Sequence, residues 1–306
     1  MSRYYGVGAL RRLKRIGTPM SLVFQEQRLY RRSWGRRRAL LAYCVGAMVV
    51  TAITIVLVAL DVVPGGKAAN VCLSLEFVGN WIPFVMLIDN PTEKRTWLER
   101  FSSFCLVWLW LGAFIETFWE GTYIIVERLG IIQGATAADK YLWYWWAYAG
   151  KDTRYLENPA DSTVFALEVM AGICGPILFY TLWRHYKGHY MFANWSSLCL
   201  LLVLAWADFP FIIAEWHQGF HSIHGGFFGF WIVFIGMNLP WAVAPIPIIW
   251  GKYLEIRYWT ERETFIKMRD AGLDVDILPA SDGLSTPKAE IPPAPRDLKA
   301  AAVLTP

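Results

Sequence analysis

Acidic residues are almost absent from the start of this 306-residue chain. Before Ala39, only Glu26 offsets eleven basic residues, among them Arg11, Arg12, Lys14, Arg15 and the run Arg36-Arg37-Arg38. Next to an apolar run, such a stretch fits a cytosolic membrane flank attracted to anionic lipid better than a nucleic-acid arm. No nucleic-acid partner is therefore expected. Cysteine is sparse as well. Cys44, Cys72, Cys105, Cys174 and Cys199 are odd in number and form no CxxC, which argues against a disulfide framework or a zinc site. They read as small core residues. No clear small-residue cleavage site follows the basic region, so a cleaved signal peptide is not expected. The arginine run followed by Ala-Leu-Leu faintly resembles a twin-arginine signal, and the acid-poor start permits a mitochondrial transit peptide. The basic flank of a membrane helix accounts for both features.

Charge is also scarce in the middle of the chain, and apolar residues are not: 56% of the sequence is hydrophobic, arranged in runs long enough to cross a bilayer. The expected fold class is an all-α integral membrane protein, a bundle of five or six transmembrane helices around an intramembrane pocket. The expected organisation is a basic N-terminal arm over 1–38 and an N-terminal span plus an ambiguous hydrophobic segment over 39–96. A helical bundle over 97–251 follows, then a charged helix and tail over 252–306, Pro/Ala-rich and disordered from Leu278. Spans are expected at Ala39–Leu60, Trp97–Val126, Asp161–Trp183, Phe192–Glu215 and Gly226–Trp250. Val71–Ile88 is interrupted by Glu76, Gly79, Asn80 and Pro83, and can cross, re-enter or lie at the interface. If it crosses, both termini share a side and the basic arm, Lys94/Arg95, Arg184/Lys187 and Lys252/Arg257 are all cytosolic, which favours six spans. Residues 127–160 form a polar connection with aromatics from Tyr141 to Tyr148, set either at the headgroups or as a lid over the pocket.

The informative residues are acids inside apolar runs, because an intramembrane carboxylate normally faces an internal cavity and marks function. Glu168 has no basic neighbour in sequence. Glu116 and Glu120 lie four apart with Trp119 on their helix face, and two acids so close in a low dielectric make a natural proton donor. Asp208, Phe211, Ile212 and Glu215 form another stripe, with Glu215 near the span end and equally readable as interfacial. Asn238 and Trp241 flank Pro240, which frees the carbonyl of Gly236. His217, His221 and His224 fall in a glycine-rich loop without a second ligand set, so no metal is assigned. Acids facing tryptophans in an apolar pocket suit one chemistry. An isolated alkene is protonated only by a buried neutral acid, and the resulting carbocation needs aromatic faces and carboxylates around it. A second acid then removes a neighbouring proton, which shifts the double bond without a cofactor.

At these residues the chain resembles the emopamil-binding protein family, the membrane-bound sterol Δ8–Δ7 isomerases of the EXPERA group. The likeness rests on FIETFWEG (Phe114–Gly121), on AYAGKDTRY and FALEVMAGICGP within Tyr148–Pro176, and on DFPFIIAEWHQGF and MNLPW within Asp208–Pro245. These blocks occur in order across about residues 97–251. The resemblance implies that Glu120 and Glu168 are catalytic acids, that Asp208 matches a family aspartate, and that Asn238 and Trp241 line the pocket, Trp241 facing the cationic intermediate. It also implies inhibition by lipophilic amines. Glu116 stands where the family has a histidine, and Ala171 where it has a threonine, so the proton route is altered or lost.

The expected catalytic set is Glu116, Glu120 and Glu168, with Trp119, Asp208, Asn238 and Trp241 binding a sterol or terpenoid lipid. The expected location is the endoplasmic reticulum membrane, from the resemblance. The alternatives are a catalytically silent binder of sterols or amphiphilic amines, and an enzyme that rearranges or cyclises another terpenoid. A homodimer is left open.

Overall fold

The computed structural model describes residues 22–30, 34–88, 95–132, 143–157 and 160–280. The basic arm before residue 22 and the tail from residue 281, where disorder is expected, lie outside the described residues. Among the described residues, six stretches are helical, long and apolar enough to cross a membrane: Gly35–Ala59, Gly65–Leu87, Trp97–Arg128, Ser162–Tyr186, Tyr190–His217 and Phe228–Asp270. The protein is an all-α, multi-pass membrane protein.

The helices are α1 (Trp34–Ala59), α2 (Gly65–Trp81), α3 (Trp97–Ile115), α4 (Gly121–Arg128), α5 (Trp143–Ala149), α6 (Ser162–Tyr186), α7 (Tyr190–His217), α8 (Gly236–Val243) and α9 (Pro245–Asp270). Their starts follow local chemistry. Thr96 and Glu99 form a reciprocal capping box that begins α3, and Asp161 caps α6 by accepting from the Thr163 and Val164 amides. The ambiguous segment is resolved as a span, with α2 continuing into a 3-10 turn at Ile82–Leu87 that carries Pro83 in its first turn. The polar residues that seemed to interrupt it serve the interior. Glu76, Gly79 and Asn80 line an internal cavity. The Trp81 indole donates to the Gly236 carbonyl at 2.7 Å, the group that Pro240 leaves without its helical partner, and the Asn80 amide donates to the Met237 carbonyl at 3.3 Å.

At one end of the bundle, β1 (Leu22–Gln25) pairs in parallel with β2 (Val275–Leu278). This clasp joins the segment before α1 to the segment after α9, so both lie on one side, as six crossings require. Fully buried Phe24 packs on Tyr258 and Phe265, and Arg262 pairs with Glu26 at 2.7 Å. Beneath the clasp, buried Lys252 donates to Glu255 at 2.8 Å and to Asn194 at 3.1 Å, and Tyr30 donates to Glu255 at 3.2 Å. Neither strand was expected: LVFQ sits within the basic arm and VDIL beyond the last charged helix.

The opposite end carries a lid made of α5 and a 3-10 turn, Thr153–Leu156. Trp145, Tyr148 and Tyr155 turn inward from it to line the cavity, which decides for the lid reading of the aromatic cluster. Arg154, 1% exposed, holds the lid down. Its guanidinium donates to both Asp152 oxygens at 2.9 and 2.7 Å and to the Phe211 carbonyl at 3.0 Å. It also pairs with Glu215 at 3.3 Å and stacks over the Phe211 ring at 4.1 Å. Burial pushes the Asp152 carboxyl above its usual range, and Arg154 pulls against that shift. Glu215 therefore anchors the lid rather than lining the cavity, and its other oxygen accepts from the Ser222 amide at 3.0 Å. Arg154→Ala leaves two buried carboxylates without their partner. We expect a loss of roughly 3–5 kcal/mol, read as a lowered melting temperature in detergent.

All five cysteines are free. Four are buried as expected, but Cys199 is exposed on the outer face of α7, so the core reading does not hold for it.

Candidate functional site: an acid-lined intramembrane cavity

The FIETFWEG block does not form a plain α-helix. Between α3 and α4, Glu116–Glu120 makes a turn of π-helix, with the Gly121 amide reaching back to the Glu116 carbonyl. Such bulges recur at functional sites because the extra residue per turn re-aims side chains. Here Glu116, Trp119 and Glu120 all line the cavity.

The bulge needs room against α6, and two glycines of the FALEVMAGICGP block, Gly172 and Gly175, provide it. A Cβ at Gly175 would stand 2.5 Å from the Thr117 amide nitrogen and 2.7 Å from the Glu116 carbonyl carbon. One at Gly172 would stand 3.0 Å from Gly121 Cα. Gly175→Ala must therefore move the backbone that carries Glu116. The expected cost is about 1–3 kcal/mol, together with weakened ligand binding. Thermal unfolding and a binding isotherm on the purified variant check both effects.

The cavity has a volume of about 520 Å³, within the usual range for small-molecule sites. Its wall combines the lid with residues from α1, α2, the α3 bulge, α6, α7 and α8. It contains the carboxylates of Glu76, Glu116, Glu120 and Asp208, and no lysine, arginine or histidine among its described lining residues. Trp119, Trp145 and Trp241 face it. Trp119 stacks on Trp145 with centroids 3.7 Å apart, so one of its faces is taken by the lid. Trp241 meets Trp108 edge-on at 4.9 Å. Asn238 lines the wall and donates to the Phe234 carbonyl at 2.6 Å.

Six of the seven expected site residues thus share one cavity: Glu116, Trp119, Glu120, Asp208, Asn238 and Trp241. The seventh, Glu168, is 0% exposed and stands behind the wall. Its link to the cavity is Tyr155, whose hydroxyl donates to Glu168 Oε1 at 2.6 Å and whose side chain lines the space. Burial first, then the neighbouring Tyr148 and Asp152, push the Tyr155 phenol well above its usual range, so it keeps its proton at neutral pH. Glu168 and Asp208 each lie close enough to Glu116 to interact electrostatically with it. One oxygen each of Glu120, Glu168 and Asp208 is buried without a protein hydrogen-bond partner. Buried polar atoms in native proteins are normally satisfied, so these oxygens point to a ligand or solvent.

Sequence reading missed Tyr155, Trp145, Thr51, Glu76 and Asn80 as lining residues. Tyr155 lay inside a block already singled out, whereas Glu76 and Asn80 read only as interruptions of a span. His217, His221 and His224 are exposed, and among the described residues no group of three or more metal-capable side chains forms.

Fold and site together define a multi-pass membrane protein with an acidic, tryptophan-faced cavity inside its helical bundle. Comparison with protein-family models, characterised proteins and solved structures finds no match.

Proposed function

We propose that this protein is a cofactor-independent double-bond isomerase of the endoplasmic reticulum membrane, acting on a sterol or related terpenoid through a carbocation. One observation carries the reading: a membrane-embedded cavity lined by four carboxylates and three tryptophans, with no basic side chain among its described lining residues. Such a cavity receives an apolar skeleton and favours positive charge developing on it.

Glu116, with Glu120 and Asp208 beside it in the cavity, gives a proton to one alkene carbon; its O–H bond breaks as the C–H bond forms. The cation is held by the remaining carboxylates and by Trp119 and Trp241. A neighbouring carbon then loses a proton to the Tyr155 oxygen while Tyr155 passes its own to Glu168, and the freed electron pair becomes the new double bond. Glu168 then gives its proton to solvent and Glu116 takes one from solvent, which closes the cycle, so the reaction consumes nothing. The same lining explains why lipophilic amines are the expected inhibitors.

A second reading is a silent binder of sterols or amphiphilic amines. It is favoured by the position of Glu168, which lacks its own surface on the cavity. Expression in eukaryotic cells lacking their own Δ8–Δ7 isomerase separates the two. The isomerase reading predicts conversion of Δ8- to Δ7-sterols by mass spectrometry. Accumulated Δ8-sterol with the protein present in the membrane removes sterol isomerisation.

A further inference from the structure

Glu116 needs a proton from water for each turnover, yet it lies inside the bundle beneath the lid. One face of α4 leads outward from it. Glu120, Tyr123 and Glu127 are spaced by three and four residues, so they share a helix face over about 10 Å. Glu120 lines the cavity. Tyr123 is 0% exposed, and its ring lies under the lid, 5.5 Å from Trp145 and 5.2 Å from Tyr155. Glu127 ends the row, with its side chain 8% exposed. It stands 3.5 Å from Arg128, whose side chain is 64% exposed, so the row stops at the edge of the fold. That ion pair is longer than a normal hydrogen bond. Each of the three residues has one oxygen buried without a protein hydrogen-bond partner: Glu120 Oε2, the Tyr123 hydroxyl and Glu127 Oε2. Tyr123 and Glu127 are close enough to interact electrostatically.

Packing alone gains nothing from this row, because a buried oxygen left without a hydrogen bond costs about 1–3 kcal/mol. Such oxygens are normally met by ordered water. Water joining a carboxylate, a phenol and a second carboxylate makes a chain in which every member can accept and release a proton. We infer that Glu120, Tyr123 and Glu127 form the path by which protons move between water at the end of α4 and the cavity. Inward, water protonates the Glu127 carboxylate. That proton passes to the Tyr123 oxygen as the phenol gives its own to Glu120, and Glu120 recharges Glu116. One O–H bond forms for each one broken, and the row returns to its starting state. Tyr123 and Glu127 do not line the cavity, so they serve Glu116 without touching substrate. The inference rests on the isomerase reading, which creates the demand for protons.

The test compares two regimes on full-length protein in detergent micelles: protein in excess over a Δ8-sterol, for one turnover, and sterol in excess, for many. In Tyr123→Phe and Glu127→Gln the single-turnover rate should match the wild type, because Glu116 starts with its proton. Steady-state turnover should fall about 10- to 100-fold as recharging becomes slow. Acetic acid buffer should restore turnover of Glu127→Gln in proportion to its concentration, an effect that a packing defect does not produce. Tyr123→Phe removes only an oxygen without a protein partner, so it carries the test alone if Glu127→Gln fails to fold. Steady-state rates unchanged in both variants overturn the inference and leave the isomerase reading standing. So do single-turnover and steady-state rates lowered alike, or a Glu127→Gln defect that the buffer leaves in place. If the wild type converts no sterol in either regime, the isomerase reading fails and takes the inference with it.

Discussion

Glu116→Gln should lower turnover by about 10²–10⁴-fold, the usual worth of a positioned general acid, while amphiphilic amines still bind. Glu116 is the hub of the acidic groups. It lines the cavity, sits on the π turn, and interacts electrostatically with both Asp208 and Glu168. Glutamine keeps the size and the hydrogen-bonding shape but cannot release a proton. Rates on a Δ8-sterol and amine binding in the same preparation check the pair of outcomes. Unchanged turnover assigns the donor role to Glu120 or Asp208 instead.

Glu168→Gln and Tyr155→Phe should be nearly as severe, and they should not add. Glu168 has no surface on the cavity, and Tyr155 bridges it to that space through a 2.6 Å hydrogen bond. Removing the phenol oxygen breaks the proton path even though the acid stays. Each single variant should cost about 10²–10⁴-fold in rate, and the double variant should fall close to the worse single one, since groups in one relay couple strongly. Additive losses would mean that Glu168 reaches the substrate without Tyr155. Full activity in Tyr155→Phe would make that hydrogen bond purely structural.

Much of this arrangement was legible from the residues because a bilayer punishes misplaced charge. Carboxylates at positions 116, 120, 168 and 208 inside apolar runs had few tolerable places other than an interior, and all four lie in or directly behind one cavity. The effect of Pro240 on the Gly236 carbonyl was likewise readable, but not the Trp81 indole that satisfies it. Three features escaped for definable reasons. Helical spacing of Glu116 and Glu120 assumes an α-helix, and the π turn depends on glycines 55 or so positions later in the chain that leave room for it. Val71–Ile88 looked broken because its polar residues were weighed against lipid, when they face the cavity and α8. Arg154 drew no reading of its own from the sequence, since nothing local shows that Asp152 and Glu215 converge on it. Each depends on contacts between distant segments, which periodicity and composition do not carry.

The most direct test of proton exchange at this cavity is deuterium incorporation. Purified protein in detergent is given a Δ8-sterol in heavy water, and the sterols are recovered for mass spectrometry. Double-bond migration through a carbocation predicts a product carrying carbon-bound deuterium, with incorporation lost in Glu116→Gln and Glu168→Gln. Absence of both migration and deuterium uptake from wild-type protein that still binds the sterol and an amphiphilic amine would contradict the account, and leave a binding protein with no chemistry on the double bond.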